Sequence, residues 1–187
     1  MSDDKLFSRL ALMAAISDQW KTKSSTLGRT ALMKLCFFLQ ESCKVPLGYS
    51  FSLYSYGPFD SDVLSDIGTA VRLNVLKEGI VYYSSGMGYE YQPGSDKESL
   101  RAIASDFLSE NASKIRWAVD TFGNKNAGEL ELLSTTFFVA KYQNPADIEG
   151  LIDQVALIKP HFSHDQIQNG VDELLSLKLL ISQPASN

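Results

Sequence analysis

Cysteine and histidine are scarce in this sequence, with two residues of each among 187. Two thiols are too few for the disulfide framework of a small secreted domain. Cys36 and Cys43 fall on one predicted helix, about 10.5 Å apart along its axis, which is too far for a disulfide between them. His161 and His164 are three residues apart with Asp165 beside them, but neither cysteine is near in sequence and a His-x-x-His pattern alone is common by chance. The sequence therefore predicts no metal, no cofactor and a reducing, cytoplasmic location.

Long apolar runs are also missing. The most apolar stretch, residues 132–140, is far shorter than the roughly 20 residues that a membrane span needs. The N-terminal residues 2–5 read Ser-Asp-Asp-Lys and lack the cationic start and apolar block of a signal peptide. We therefore expect no membrane partner. The 44% of hydrophobic residues is enough for a buried core and excludes a disordered chain.

The sequence lacks the basic excess of a dedicated nucleic-acid sleeve, since its formal net charge is -5. The charge is unevenly distributed: residues 1–60 carry seven basic and five acidic residues, whereas residues 61–187 carry ten and seventeen. This asymmetry indicates that one surface meets an anionic partner, with scattered solvated lysines as the alternative interpretation. Five of the seven basic residues in 1–60 form a basic cluster, defined here as Lys21, Lys23, Arg29, Lys34 and Lys44.

Apolar residues repeat at helical spacing over most of the chain. The predicted helices cover residues 4–20, 28–43, 60–74, 97–121, 129–142, 147–158 and 163–176. An alternating aromatic and serine pattern predicts a strand over 49–56 that ends at Gly57-Pro58, and 75–92 reads as a β-hairpin. Residues 178–182 read as a short strand. The fold class is thus α+β and predominantly helical, in one domain of residues 1–187 with a mixed half, 1–95, and a helical half, 96–187.

Two segments have the order of known helix-turn-helix elements. The helices 28–43 and 60–74 followed by the hairpin suggest a winged-helix-like unit, and the helices 147–158 and 163–176 suggest a second helix-turn-helix pair. A DNA reader needs Arg, Lys, Asn or Gln on the outer face of its second helix. The helix 60–74 instead carries Asp60, Asp62 and Asp66, so direct DNA readout is disfavoured.

No sequence signature of an enzyme is present. The chain has no nucleophile elbow, zinc-protease helix, P-loop or kinase motif, and the turn of a hairpin explains Gly86-Met87-Gly88 better than a phosphate loop does. A nucleophilic thiol paired with a histidine through the fold is conceivable but has no local signature. We therefore expect a protein that is not an enzyme.

The segment from Gly28 to Phe59 is the strongest candidate for binding. It joins a basic helix start to an aromatic strand and turn, and Tyr and Arg are enriched in binding hot spots. Tyr54 and Tyr56 would share one face of the predicted strand. Packing of these aromatics across a sheet is the alternative interpretation. The candidate partner-binding residues are Arg29, Lys34, Tyr54, Tyr56, Gly57, Pro58 and Phe59.

Four stretches of the chain carry a resemblance to a known family. They are residues 28–40 (GRTALMKLCFFLQ), 51–59 (FSLYSYGPF), 130–138 (LELLSTTFF) and 159–162 (KPHF). With these, the sequence resembles the Panacea, or SocA-like antitoxin, domain family, and in particular its YwgA-like branch. Cys36-Phe37-Phe38 departs from the Leu-Tyr-Phe-like run that is usual in the family.

The resemblance implies a mainly helical domain that binds a protein, commonly a toxin encoded by an adjacent gene. Such a domain either neutralises the toxin directly or delivers it to a protease, and both routes stay open here. A winged-helix-like regulator that binds nucleic acid through the basic cluster is the alternative from another class. An accessory subunit of a phage-defence system is a third. The oligomeric state and the identity of the partner do not follow from the sequence.

Overall fold

The computed structural model describes residues 2–23, 26–83 and 86–180. Within these ranges the chain forms eight helices and two antiparallel β-hairpins, which confirms a predominantly helical α+β fold. The helices are α1 (Ser2–Trp20), α2 (Arg29–Glu41), α3 (Ser61–Arg72), α4 (Lys97–Ile103), α5 (Ser105–Phe122), α6 (Ala127–Tyr142), α7 (Ile148–Ile158) and α8 (His164–Ser176). The strands are β1 (Ser52–Tyr54), β2 (Gly57–Phe59), β3 (Leu76–Tyr83) and β4 (Gly86–Pro93).

The first of two compact units comprises Met1–Phe51 and Asp60–Asn126. Its core is built from fully buried aromatic and aliphatic side chains of α1, α2 and α5. The Phe38 ring of α2 stacks on the Phe122 ring of α5 at 4.2 Å between centroids, and Phe37 meets Phe51 edge-on. The Phe38–Phe122 contact holds α2 against α5, because each buried ring removes a large apolar area from water.

The first unit has the order of a winged helix. The strands β3 and β4 pair from Leu76 opposite Pro93 to Tyr83 opposite Gly86. The Tyr91 N–H donates to the Leu27 carbonyl at 2.9 Å, and Gly28 bridges Glu90, so the segment before α2 lines the second edge of β4. The predicted hairpin and the winged-helix-like order are therefore present.

The second unit comprises Ser52–Phe59 and Ala127–Asn187. Its central helix, α6, is buried over most of its length and contacts α7, α8 and β2. The three helices share a cluster of apolar side chains: Leu132, Val139, Leu151, Ile152, Val155, Ile167 and Val171. The β1–β2 hairpin belongs to this unit although both segments that flank it in sequence belong to the first.

The prediction of one strand over 49–56, ended by Gly57-Pro58, is wrong. Residues 49–51 are not in a strand, β1 spans only Ser52–Tyr54, and residues 55 and 56 form a turn. Gly57 and Pro58 begin β2, in which Pro58 lies opposite Leu53. A proline is tolerated there because each strand of a two-stranded sheet has a free edge, where no donor is required.

Two further predictions differ from the structure. The helix predicted over 97–121 is broken at Ala104 into α4 and α5. Residues 178–180 form a turn rather than the predicted strand, and residues 181 and 182 lie outside the described residues. In the described parts of the chain, no helix combines the length and apolar character of a membrane span.

Candidate interaction site

The β1–β2 hairpin presents two tyrosines to solvent. Tyr54 is the last residue of β1 and is 66% exposed, while Tyr56 lies in the turn and is 73% exposed. The Tyr54 ring packs on the Phe59 ring of β2 at 5.4 Å between centroids. Tyrosine is enriched in binding hot spots, so these two exposed rings are candidates for contact with a partner. We call residues 52–59 the tyrosine hairpin.

The hairpin lies directly on α6 at Gly57. This glycine has a φ of +84°, a conformation that residues with a Cβ adopt at a cost. A Cβ placed there would come within 2.9 Å of Thr135 Oγ1 and 3.1 Å of Ser134 Oγ. Gly57 and Pro58 are both buried, so they support the turn from the protein interior and do not themselves form a binding surface. Glycine is therefore required here for both conformation and space.

A buried ion pair fixes the turn of the hairpin. The Lys159 Nζ lies 2.7 Å from Glu131 Oε1, and the side chains are only 3% and 9% exposed. The same ammonium donates to the backbone carbonyls of Tyr54, at 3.5 Å, and Ser55. Glu131 thus compensates the buried charge while the carbonyls take up the remaining donors. The backbone that carries the two tyrosines is held in place by contacts with residues far away in sequence.

His161 lies beside this ion pair. Its Nε2 is 3.5 Å from Glu131 Oε1, and its ring tilts against Phe162 at 4.2 Å between centroids. The side chain is 57% exposed, in contrast to that of Lys159. Across the described parts of the chain, no group of three histidines, cysteines or carboxylates is arranged to hold a metal ion. His161 is therefore a surface residue beside the Lys159–Glu131 ion pair.

Substituting Gly57 by Ala is expected to lower the free energy of unfolding by about 1–3 kcal/mol, because the left-handed backbone and the contact with Thr135 both oppose a Cβ. Gly68 in α3 is the matched control, since a Cβ added there would meet no atom within 4 Å and its φ is helical. Gly68→Ala should stabilise by about 0.5–1 kcal/mol. Urea denaturation of both variants measures the difference, and equal effects would contradict the described packing of Gly57.

Arg29 belongs to the first unit and is held by the other hairpin. Its guanidinium lies over the Tyr89 ring at 4.2 Å from the centroid, and its Nε donates to Tyr91 Oη at 3.4 Å. The Tyr91 hydroxyl in turn donates to Glu78 at 3.0 Å. The hydrogen bond with Tyr91 and the nearby Glu78 charge raise the pKa of Arg29 against the effect of its burial. Arg29 is an exposed residue, and its side chain is positioned by residues of β3 and β4.

Lys34 does not lie on a surface. Its side chain is buried on the face of α2 that also carries Ala31 and Phe38, so it is not available to a partner. The structure therefore divides the predicted site. Tyr54, Tyr56 and Phe59 come together in the second unit, whereas Arg29 lies in the first.

The other members of the basic cluster interact within the first unit. Lys21 Nζ lies 3.2 Å from Asp18, and Lys23 Nζ lies 2.7 Å from Asp120. Lys44 donates to the Glu41 carbonyl at 2.8 Å. These cations are close together in sequence, but their charges are directed to separate acceptors of the protein itself. The residues of the basic cluster therefore do not form a single open surface for an anionic partner.

The acidic residues of α3 have structural roles. Asp60 caps the helix by accepting from the Asp62 N–H at 2.8 Å. Asp66 is buried, accepts from Tyr49 Oη at 2.8 Å and lies 2.9 Å from Arg9 Nε. Burial raises the pKa of Asp66, and the hydrogen bond from Tyr49 and the Arg9 charge oppose that shift.

Cys36 lies beside this buried group and is itself fully buried. Burial first, and then the Asp66 charge, raise the pKa of the Cys36 thiol to about 12, while Arg9 acts in the opposite direction. The half-buried Cys43 also has a raised pKa, chiefly because of burial. Since the thiolate is the nucleophilic form, neither cysteine has the environment of a reactive thiol.

We expect native Cys36 to be inert towards a disulfide reagent such as Ellman's at pH 8 and to react only on unfolding, because its thiol is protonated and inaccessible. A Cys43→Ser variant isolates Cys36 for this measurement. Its thiol should be counted in denaturant and not in buffer. Rapid modification of native Cys43→Ser protein would show instead that Cys36 is an accessible nucleophile.

Sequence reasoning missed Glu131 and Lys159, which hold the hairpin. The stretches 130–138 and 159–162 stand out in the sequence only for their family resemblance, and a lysine and a glutamate in otherwise apolar surroundings are the available signal. Comparison of the sequence with models of protein families and with curated proteins gave no match in either case.

Proposed function

We propose that this protein is a non-enzymatic, cytoplasmic protein-binding module of antitoxin type, which binds and neutralises a toxin encoded by an adjacent gene. The observation that carries the proposal is the tyrosine hairpin, whose turn is fixed by Lys159 and Glu131 while Tyr54 and Tyr56 remain exposed. A fixed backbone reduces the ordering cost of binding, and aromatic side chains supply contact area. The sequence resemblance to SocA-like antitoxins names the class of partner.

The test is co-expression with the reading frame next to the gene of this protein. The parent protein should restore growth of the host and co-purify with the neighbouring product. The Tyr54→Ala/Tyr56→Ala variant should lose both properties at an unchanged melting temperature, because both side chains are exposed. Tyr142→Ala is the matched control, since Tyr142 is also an exposed tyrosine of the second unit. Unchanged co-purification of the double variant would refute the site.

Arg29→Ala is measured beside these variants, because Arg29 lies in the first unit and is held by Tyr89 and Tyr91. Loss of co-purification in this variant alone would place the contact on the first unit. Whether the partner is inhibited directly or delivered to a protease is read from its lifetime in the cell during co-expression. An accessory role in phage defence differs from this proposal only in the identity of the partner.

A winged-helix regulator is the second candidate function, and the order of α2, α3, β3 and β4 favours it. The exposed positions of α3 include Ser61, Asp62 and Ser65, with Arg72 as the basic residue at its end. Such a surface is poor in groups that read bases or neutralise phosphates. Gel-shift measurements at low salt on promoter DNA and on RNA decide the point, since this function requires binding that weakens steeply with salt.

A further inference from the structure

We infer that the tyrosine hairpin docks a basic, arginine-rich protein surface; this rests on the proposed function and specifies the chemistry of the partner. The first observation is the distribution of charge between the two units. The first unit contains fourteen basic and fourteen acidic residues, whereas the second contains three basic and eight acidic residues. The whole formal charge of -5 therefore belongs to the unit that carries the hairpin.

The acidic excess of the second unit lies at its surface. One of its three cations, Lys159, is buried against Glu131, which leaves Lys141 and Lys178 as exposed basic residues. The exposed acidic residues of this unit are Glu129, Asp147, Glu149, Asp153, Asp165 and Asp172. The electrostatic potential of such a surface attracts cations over about 10 Å at 0.1 M salt and repels phosphates. A nucleic acid is thereby disfavoured as the occupant of the hairpin.

The exposed tyrosine rings add a short-range interaction with cations to the long-range attraction of the acidic unit. Tyrosine faces bind guanidinium and ammonium groups, and more often guanidinium, by cation–π contact. Tyr54 and Tyr56 are exposed, and the ammonium of the nearby Lys159 is directed to the backbone carbonyls of the turn. The first unit already contains a cation–π contact, with Arg29 over Tyr89. An arginine-rich partner surface matches both the exposed rings and the negative charge of the unit that carries them.

Three labelled ten-residue peptides serve as probes: alternating Arg and Gly, alternating Lys and Gly, and alternating Glu and Gly. The arginine peptide should bind most tightly, the lysine peptide more weakly and the glutamate peptide not at all, with affinity falling as salt rises. Tyr54→Ala/Tyr56→Ala keeps the net charge and should weaken arginine-peptide binding about five- to thirtyfold. An unchanged affinity of this variant would overturn the inference, as would tighter binding of a single-stranded DNA probe.

A matched pair of charge variants separates the charge of the second unit from the net charge of the whole protein. Asp153→Asn/Asp165→Asn alters the second unit, and Asp106→Asn/Glu110→Gln alters the first by the same charge. Each pair contains one acidic residue in the first turn of a helix, Asp165 or Asp106. The second-unit pair should weaken arginine-peptide binding about threefold or more, and the first-unit pair by less than about twofold. Equal effects of the two pairs would show that net charge alone attracts the peptide, and this result would overturn the inference.

These experiments distinguish a failure of the basic-partner inference from a failure of the proposed antitoxin function. A neighbouring gene product that needs Tyr54 and Tyr56 while the arginine peptide does not bind would uphold the function and refute the basic partner. Arginine-peptide binding that needs both tyrosines, without any neutralised toxin, would uphold the surface chemistry and refute the antitoxin role.

Discussion

Lys159→Met is expected to lower the free energy of unfolding by about 3–5 kcal/mol. The substitution leaves the Glu131 carboxylate buried without its cation and removes the donor to the Tyr54 and Ser55 carbonyls. An uncompensated buried charge costs more than the ion pair itself contributes, because desolvation is no longer offset. Chemical denaturation followed by far-UV circular dichroism measures the loss.

The control for this variant is Lys141→Met, because Lys141 is an exposed lysine of the same unit. The free energy of unfolding of the control protein should stay within about 0.5 kcal/mol of the parent value. A double variant, Lys159→Met/Glu131→Leu, should recover much of the loss, since a buried pair replaced by apolar side chains is often neutral. The double-mutant cycle then gives the coupling of the two residues. A single-variant loss below about 1 kcal/mol would show that the ion pair is not buried in solution. The Lys159→Met protein should also bind the partner less tightly, although both tyrosines are intact.

Phe38→Ala is expected to lower the free energy of unfolding by about 3–5 kcal/mol as well. The Phe38 ring is fully buried, stacks on Phe122 at 4.2 Å and packs against Phe37 at 5.5 Å between centroids. Its removal loses the transfer free energy of the ring and leaves a cavity that close-packed neighbours fill only in part. Trp117 stands edge-on to Phe122 at 5.7 Å, so its fluorescence reports the unfolding of this region.

Two further variants serve as controls for the effect of Phe38→Ala on stability. Phe38→Leu keeps most of the apolar volume and should cost less than Phe38→Ala. Tyr82→Ala removes an exposed aromatic ring of the same unit and should change stability by no more than about 0.5 kcal/mol. If Phe38→Ala cost no more than Tyr82→Ala, the stacking of α2 on α5 would not be a source of stability.

Local patterns were sufficient for most helices and for the β3–β4 hairpin. Apolar spacing predicted α8, whose buried residues lie on one face, and dense apolar composition predicted α6, each to within two residues. The break at Ala104 had no such signal, since no glycine or proline marks it. At Gly57-Pro58 a signal was present but ambiguous. The same two residues end a strand in one context and begin an edge strand in another, which is why the predicted strand end was wrong.

The candidate site was only partly readable from the sequence. The exposure of Tyr54 and Tyr56 agrees with the aromatic pattern, but the residues that hold their backbone, Lys159 and Glu131, lie far further along the chain. Periodicity and motifs describe neighbours, so a contact of this separation is outside their reach. Lys34 did carry a usable signal. It shares a helix face with Ala31 and Phe38, which places a charged residue on the buried side of α2.

The separation of 105 residues between Tyr54 and Lys159 also bears on synthesis of the protein. The hairpin leaves the ribosome long before α6 and Lys159 do, and at about 5–20 residues per second the interval is roughly 5–20 s. During that time the contacts that hold the Tyr54 carbonyl do not exist. A chain released prematurely before Lys159 would carry both tyrosines without the ammonium that fixes them. The support of the tyrosine hairpin therefore forms only after Lys159 has been synthesised, so a fragment that ends before this residue carries the hairpin without it.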